Sequence, residues 1–179
     1  MKTLLIVLLS LVGVGTRPAL AQRHDKHVAT IGGHFGRSEK GEYAELSYLP
    51  YLSNHVALRV SAVYEYGTLP GRGKYASWNG RAFFAPQLFR LGEFAYVHLL
   101  VGGGAGYEQT NLKGSGDLPA DTKTPARFTF GPQAGLEVDF FLGNRFSLVA
   151  TGTKSYLFHN PLLDEWPGHT GAGLRYHFR

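Results

Sequence analysis

Residues 126 to 142, ARFTFGPQAGLEVDFFL, change character at every second position. Phe128, Phe130, Pro132, Ala134, Leu136, Val138 and Phe140 share one face, and Thr129, Gly131, Gln133, Gly135, Glu137 and Asp139 share the other. Successive side chains of a β-strand point to opposite faces, so this pattern predicts a strand with one oily and one polar side. In HVALRVSAVYEY, Val56, Leu58, Val60, Ala62, Tyr64 and Tyr66 alternate with Ala57, Arg59, Ser61, Val63 and Glu65. In EYAELSYLPYL, Ala44, Leu46, Tyr48, Pro50 and Leu52 oppose Tyr43, Glu45, Ser47, Leu49 and Tyr51. The closing GLRYHFR sets Leu174, Tyr176 and Phe178 against Arg175 and His177. None of these segments repeats at the helical spacing of about 3.6.

Extending the pattern predicts eight strands, near 27–36, 41–52, 55–66, 75–90, 93–109, 126–142, 144–158 and 168–178. Ser53-Asn54, Leu91-Gly92-Glu93 and Leu142-Gly143-Asn144 read as tight turns. Segments 37–40, 67–74, 110–125 and 159–167 read as longer polar loops. Short and long connections then alternate along the chain. Membrane barrels have that asymmetry, with short periplasmic turns and longer external loops. A soluble β-sandwich, the alternative for such strands, gives no reason for it.

The chain start adds an address. Lys2, the apolar run Leu4 to Gly15 and the small-x-small step Ala19-Leu20-Ala21 match a secretory signal, which places the mature start at Gln22. The run is too short for a spanning helix, which needs about 20 apolar residues. Cysteine is absent, which excludes disulfide staples and thiolate metal sites. Removing Lys2 and Arg17 from 18 basic residues leaves 16 against 13 acidic ones, a net charge of +3. That surplus is spread out, unlike the concentrated stripe of a nucleic-acid interface. The chain carries 24 glycines and 24 aromatic residues, a load that suits a barrel. The expected fold is all-β: an eight-stranded antiparallel up-and-down transmembrane β-barrel with a filled polar lumen, formed by residues 22–179 in the outer membrane.

The glycine-rich LLVGGGAGYEQTN, residues 99 to 111, could be read as a phosphate loop. It lacks G-x-G-x-x-G and G-x-x-x-x-G-K-[ST], and no helical pattern follows to hold an anion at a helix N-terminus. Within the fifth strand, Ala95, Val97, Leu99, Val101, Gly103, Ala105 and Tyr107 are expected to face lipid. Gly102, Gly104 and Gly106 are expected to face inward and make room for Arg81, Phe83 and Phe89. An eight-stranded barrel is barely wide enough inside for its side chains.

The inward face also carries Glu45, Arg59, Glu65, Arg81, Glu108, Glu137, Asp139 and Arg175, with His177. Charges of both signs in a narrow interior must pair, because an unpaired buried charge is very costly. A structural polar network is therefore expected rather than an ion path. No catalytic, cofactor or metal site is expected. The H-x-S of a lipid-facing deacylase is missing, and His159, Asp164 and His169, placed in or beside the last loop, have no serine pattern around them. His24 and His27 lack metal-ligand spacing. Arg72, Lys74, Lys113 and Lys123 fall in predicted external loops and are candidates for binding anionic sugars or phosphates. Tyr64, Tyr66, Trp78, Tyr107, Tyr156 and Phe158 fall toward the outer end and Tyr48, Tyr51, Phe94 and Phe146 toward the other, as two aromatic girdles. Lys154 keeps phase with lipid-facing Phe146, Leu148, Ala150 and Gly152, which leaves two routes open: snorkelling, or a bulge at Gly152.

Three segments bear on function: Gly106-Tyr107-Glu108-Gln109-Thr110-Asn111, the run LGNRFSLVATGTK from Leu142, and GAGLRYHF from Gly171. In these the chain resembles the TraO family, conjugal transfer proteins of Bacteroides-type conjugative transposons. The resemblance covers mainly the half from about residue 93. It implies an accessory outer-membrane part of a mating apparatus, with other transfer proteins as partners and no catalytic residues. Expected contacts are outer-membrane lipid and no direct nucleic acid; oligomeric state stays open. A surface-binding barrel and a lipid-A-modifying enzyme are the alternatives.

The exported protein is expected to begin at Gln22. Intact-mass spectrometry of the membrane-inserted form checks this, and a retained leader would contradict it.

Overall fold

The computed structural model describes residues 28–69, 73–92, 94–111, 126–159 and 163–178. The predicted signal, His24, His27, Arg72, Lys113 and Lys123 lie outside the described residues. Eight strands follow in order: β1 (Ala29–Ser38), β2 (Gly41–Ser53), β3 (Val56–Leu69), β4 (Gly73–Leu91), β5 (Ala95–Asn111), β6 (Arg127–Phe141), β7 (Phe146–Ser155) and β8 (Gly168–His177). Each pairs antiparallel with its chain neighbour, and β8 returns to β1 through pairs such as Gly33 with Leu174. Closure leaves no open sheet edge. The up-and-down barrel expected from the alternation is the fold.

The connection lengths differ from expectation. Only residues 39–40 separate β1 from β2, and only 70–72 separate β3 from β4. Much of the predicted loops 37–40 and 67–74 is therefore strand. Lys74 is a β4 residue opposite Thr68 and Asn111 rather than a loop residue. The long connections are those after β5 and β7. The reason is physical. About 9–11 residues cross the bilayer, whereas β4 has 19 and β5 has 17. Beyond the hydrocarbon both strand faces meet water, so alternation fades while the hydrogen-bond ladder continues.

Burial confirms an inverted polarity. Outward-facing Phe35, Leu46, Phe84, Val101, Leu136 and Leu174 are exposed, whereas inward Arg59 and Arg175 are among the largest fully buried side chains. Water would not tolerate that exterior over so continuous a surface; it is an oil-facing one. The lumen also holds an apolar layer of Leu49, Tyr51, Ala57, Phe83, Ala85 and Leu100. Tyr51 thus belongs to the interior and not to a girdle.

A bulge corrects β4. Its register with β5 shifts between Gln87 and Phe89, which turns Phe89 outward, opposite Val97, at 51% exposure. An extra residue on one strand reverses every later side chain, and strict alternation does not anticipate it. Ala95 and Val97 keep their outward register, paired with Phe140 and Val138, yet both are buried. Ala95 stands between Leu91 and Phe140, and Val97 between Phe89 and Val138.

The glycines of β5 serve packing. A Cβ on Gly102 would lie 1.9 Å from the Ala82 carbonyl oxygen, and one on Gly104 would lie 2.6 Å from the Gln133 amide nitrogen and 3.2 Å from Arg81 Cγ. The bulky partners Phe83 and Arg81 sit directly alongside in β4, as the pairs Gly102–Phe83 and Gly104–Arg81, rather than across the lumen. Gly33 differs, since a Cβ there meets nothing within 4 Å.

Gly102→Val is expected to lower stability by about 1–3 kcal/mol, while Gly33→Val should be near neutral. Urea unfolding of the barrel in lipid vesicles measures both, and equal losses would contradict this account of the glycines.

Candidate functional site

All eight residues predicted to line the lumen are buried there, and they divide into two groups. The central group is a lattice drawn from β2, β3, β6 and β8. Arg59 reaches Glu45 at 2.7 Å and Glu137 at 2.7 Å. Arg175 reaches Glu137 at 2.8 Å and Asp139 at 2.6 Å. Glu137 is therefore shared between two guanidiniums, one on each carboxylate oxygen. Period-two geometry explains the set: Glu137 and Asp139 are two apart on β6, so both project inward at neighbouring levels. Ser147 on β7 adds a hydroxyl 3.2 Å from Asp139 and 3.0 Å from His177. Arg59 also lies over the Phe83 ring, 5.9 Å from its centroid, which ties the ionic lattice to the apolar layer.

The second group sits nearer the outer mouth. The Ser38 hydroxyl donates to Glu65 at 2.6 Å and the Tyr75 hydroxyl donates to it at 2.8 Å. His169 lies 3.0 Å from Glu65 and 3.0 Å from Arg81. His169, within the predicted eighth strand beside the last loop, is an inward residue of β8 and does not cluster with His159 and Asp164. His159 is exposed, and Asp164 accepts a hydrogen bond from the Trp166 backbone. Glu108 completes the set on the wall of a recess at this end, beside Asn79, Gln133 and Ser155. The recess has a volume of about 20 Å³, room for about one water molecule.

His34 and His98 also point inward and are buried. His34 was missed from sequence, although its alternation with outward Ile31, Gly33 and Phe35 carries the signal. His98, Glu137 and Asp139 offer three ligand atoms within 4.8 Å of one another. They do not suit a metal, because Arg59 and Arg175 already occupy both carboxylates and would repel a cation.

Neither serine cluster is ordered for nucleophilic chemistry. Such a relay places histidine between serine and acid. Here Glu65 stands between Ser38 and His169, and Ser147 stands between His177 and Asp139. Ser147 is also fully buried, with no face to offer a substrate.

The exterior carries a continuous aromatic belt around part of the outer end. Tyr64 stacks between Tyr66 and Trp78, Trp78 is opposite Tyr107, and Tyr107 meets Phe128 at 5.3 Å. The series continues through Phe130, Phe158 and Tyr156 to Trp166. Phe94, Phe146 and Tyr48 mark the other end, all exposed. The register of β7 with β6 and β8 is unbroken through Gly152, so Lys154 stays on the outer face, where it pairs with Glu39. The bulge alternative is therefore removed.

Solved structures share this architecture. The N-terminal β-barrel domain of Pseudomonas aeruginosa OprF aligns with a TM-score of 0.67 at 11% identity, over 86% of this chain and 98% of that one. The fold is that of the small outer-membrane barrels. Neisserial surface protein A aligns at 0.62 and 14% identity, over 86% and 98% of the two chains. Ail, the attachment invasion locus protein of Yersinia pestis, aligns at 0.57 and 17% identity, over 86% and 99%. No family model and no curated protein sequence matches the chain.

Arg175→Met removes, among the described residues, the one arginine paired with Asp139 and one of two paired with Glu137, and is expected to cost about 3–5 kcal/mol. Lys154→Gln breaks an exposed pair and should cost under about 1 kcal/mol. Unfolding midpoints in vesicles compare the two; similar shifts would contradict the lattice as the stabilising element.

Proposed function

We propose that the chain is a non-enzymatic barrel of the outer membrane that serves as an accessory component of a conjugative transfer apparatus. The observation that carries this reading is the TraO resemblance of three segments, read together with their positions. LGNRFSLVATGTK forms the turn before β7 and the strand itself, GAGLRYHF lies mainly in β8, and GYEQTN ends β5 at the outer rim. They include Arg175 and Ser147 of the lumen lattice, Glu108 of the recess and Tyr107 of the aromatic belt.

The lumen supports an accessory role over a conducting one. Arg59, Arg175, Glu137 and Asp139 are at 0–1% exposure and pair across it, so a DNA strand has no passage there. The oily exterior and the outer aromatic belt suit residence in a membrane, and the secretory signal expected from sequence would carry the chain past the inner one. Partners would be other transfer proteins reached at the rims.

A second reading, a surface-binding barrel, is favoured by one feature. Lys40 and Lys74 border an outward groove of about 660 Å³ with Tyr64, Tyr66 and Glu42; Glu42 accepts from the Tyr66 hydroxyl, and the two lysines and the rings suit anionic sugars. Yersinia pestis Ail has been solved with the heparin analogue sucrose octasulfate.

Deleting the coding sequence from its mobile element should reduce transconjugants by orders of magnitude, with recovery on complementation. Unchanged transfer frequency would overturn the conjugative reading, and retained binding of sulfated glycans by the purified barrel would then favour the second.

A further inference from the structure

The outer aromatic belt runs from Tyr66 on β3 to Trp166 before β8. Among the described residues it does not continue across the outer ends of β8 and β1. There the outward positions are Gly168 and Thr170 on β8 and Arg37 on β1, with Gly152 and Lys154 alongside on β7. Thr170 is the cross-strand partner of both Arg37 and Gly152, and Gly168 is the partner of Lys154. Arg37 and Lys154 border one outward groove of about 600 Å³, with Leu136 and Gly152 on its floor. A Cβ on Gly152 would meet nothing within 4 Å, so this floor opens directly outward. Below it the face stays small at Ala150 and Ala172 and is bounded by Phe35, at 74% exposure.

Two cations on the oil-facing side of a barrel require an explanation. Arg37 forms no ion pair within 4 Å among the described residues. Lys154 pairs with Glu39, but the side chains of that pair are 53% and 44% exposed, and Glu39 sits in the two-residue β1–β2 turn. An exposed pair of this kind is worth little, so it presents only a small barrier to a stronger anion. Glu42, the cross-strand neighbour of Arg37, is held by the Tyr66 hydroxyl on its other side at 3.0 Å. Long basic side chains in this position place their charge at the headgroup level. Guanidinium and ammonium groups both bind phosphate strongly.

We propose that this groove binds a phosphorylated glycolipid of the lipid A class, with Arg37 and Lys154 on a phosphate and an acyl chain along the floor at Gly152, Ala150 and Ala172. The inference rests on the outer-membrane reading above. A lipid occupant follows from the position of the groove on the face that meets the bilayer. A phosphorylated one follows from its two cations. The small floor supplies space for a chain where the rest of this rim carries aromatic rings.

The test uses the full mature barrel in nanodiscs containing either bisphosphorylated lipid A or its dephosphorylated form, with bound glycolipid counted by native mass spectrometry. The wild type should retain the phosphorylated lipid preferentially. Arg37→Ala with Lys154→Ala should weaken that retention roughly tenfold or more, as loss of charge-assisted contacts predicts. Gly152→Phe, which fills the floor, should weaken retention of both lipids. Equal retention of the two lipids by the wild type overturns the inference, as does unchanged retention by the folded double variant. If that variant does not fold, the wild-type comparison decides alone. Heat-modifiable migration is read on every sample. A heat-modifiable barrel without phosphate preference defeats this inference only, whereas a chain that never shows that form defeats the membrane reading beneath it.

Discussion

Backbone amides and carbonyls inside a bilayer have no water to bond, so a sheet that enters hydrocarbon must satisfy every one of them by closing on itself. The β1–β8 pairing accomplishes this, and the rest of the molecule follows from it. Closure at eight strands fixes a narrow interior. A narrow interior forces its side chains into contact, and polar ones must then be satisfied by one another. The lattice of Arg59, Arg175, Glu45, Glu137 and Asp139 is the outcome. The small partners of bulky residues, such as Gly102 beside Phe83, are another outcome of the same lack of room.

This constraint also limits function. A lumen filled by paired charges and an apolar layer leaves no open channel among the described residues. Glu45, Glu65, Glu137 and Asp139 are engaged by arginine, serine or tyrosine, and Ser38 and Ser147 each contact an acid that the neighbouring histidine does not bridge. The exterior and the two rims are the surfaces open to lipid and to partners. The functional proposals accordingly concern lipid on the outer wall and partners at the ends.

Much of this was legible in the sequence because alternation is a local signal. In β2, β3, β6 and β8 each residue read as inward or outward lies on that side, and the eight lumen charges were identified as a set. Pairing among them was not legible. That Glu137 joins Arg59 of β3 to Arg175 of β8 depends on barrel curvature, which no local window records. Phe89 was misplaced because a single bulge reverses phase. His169 falls in the predicted eighth strand, yet its contact with Glu65 of β3 and Arg81 of β4 is not legible, because it joins strands distant in sequence. The hairpins after β1 and β3 are shorter than the sequence suggests for a related reason: toward the outer rim, polarity no longer distinguishes strand from loop.

The central claim is that side chains change solvent at each step along a strand, from hydrocarbon to a packed polar interior. Nitroxide labels placed singly at residues 127 to 140, with the barrel in bilayers, test it most directly through collision with oxygen and with a water-soluble relaxation agent. The account predicts lipid-like oxygen access at even positions and low access to both agents at odd ones. A period near 3.6, or water access throughout, would contradict it.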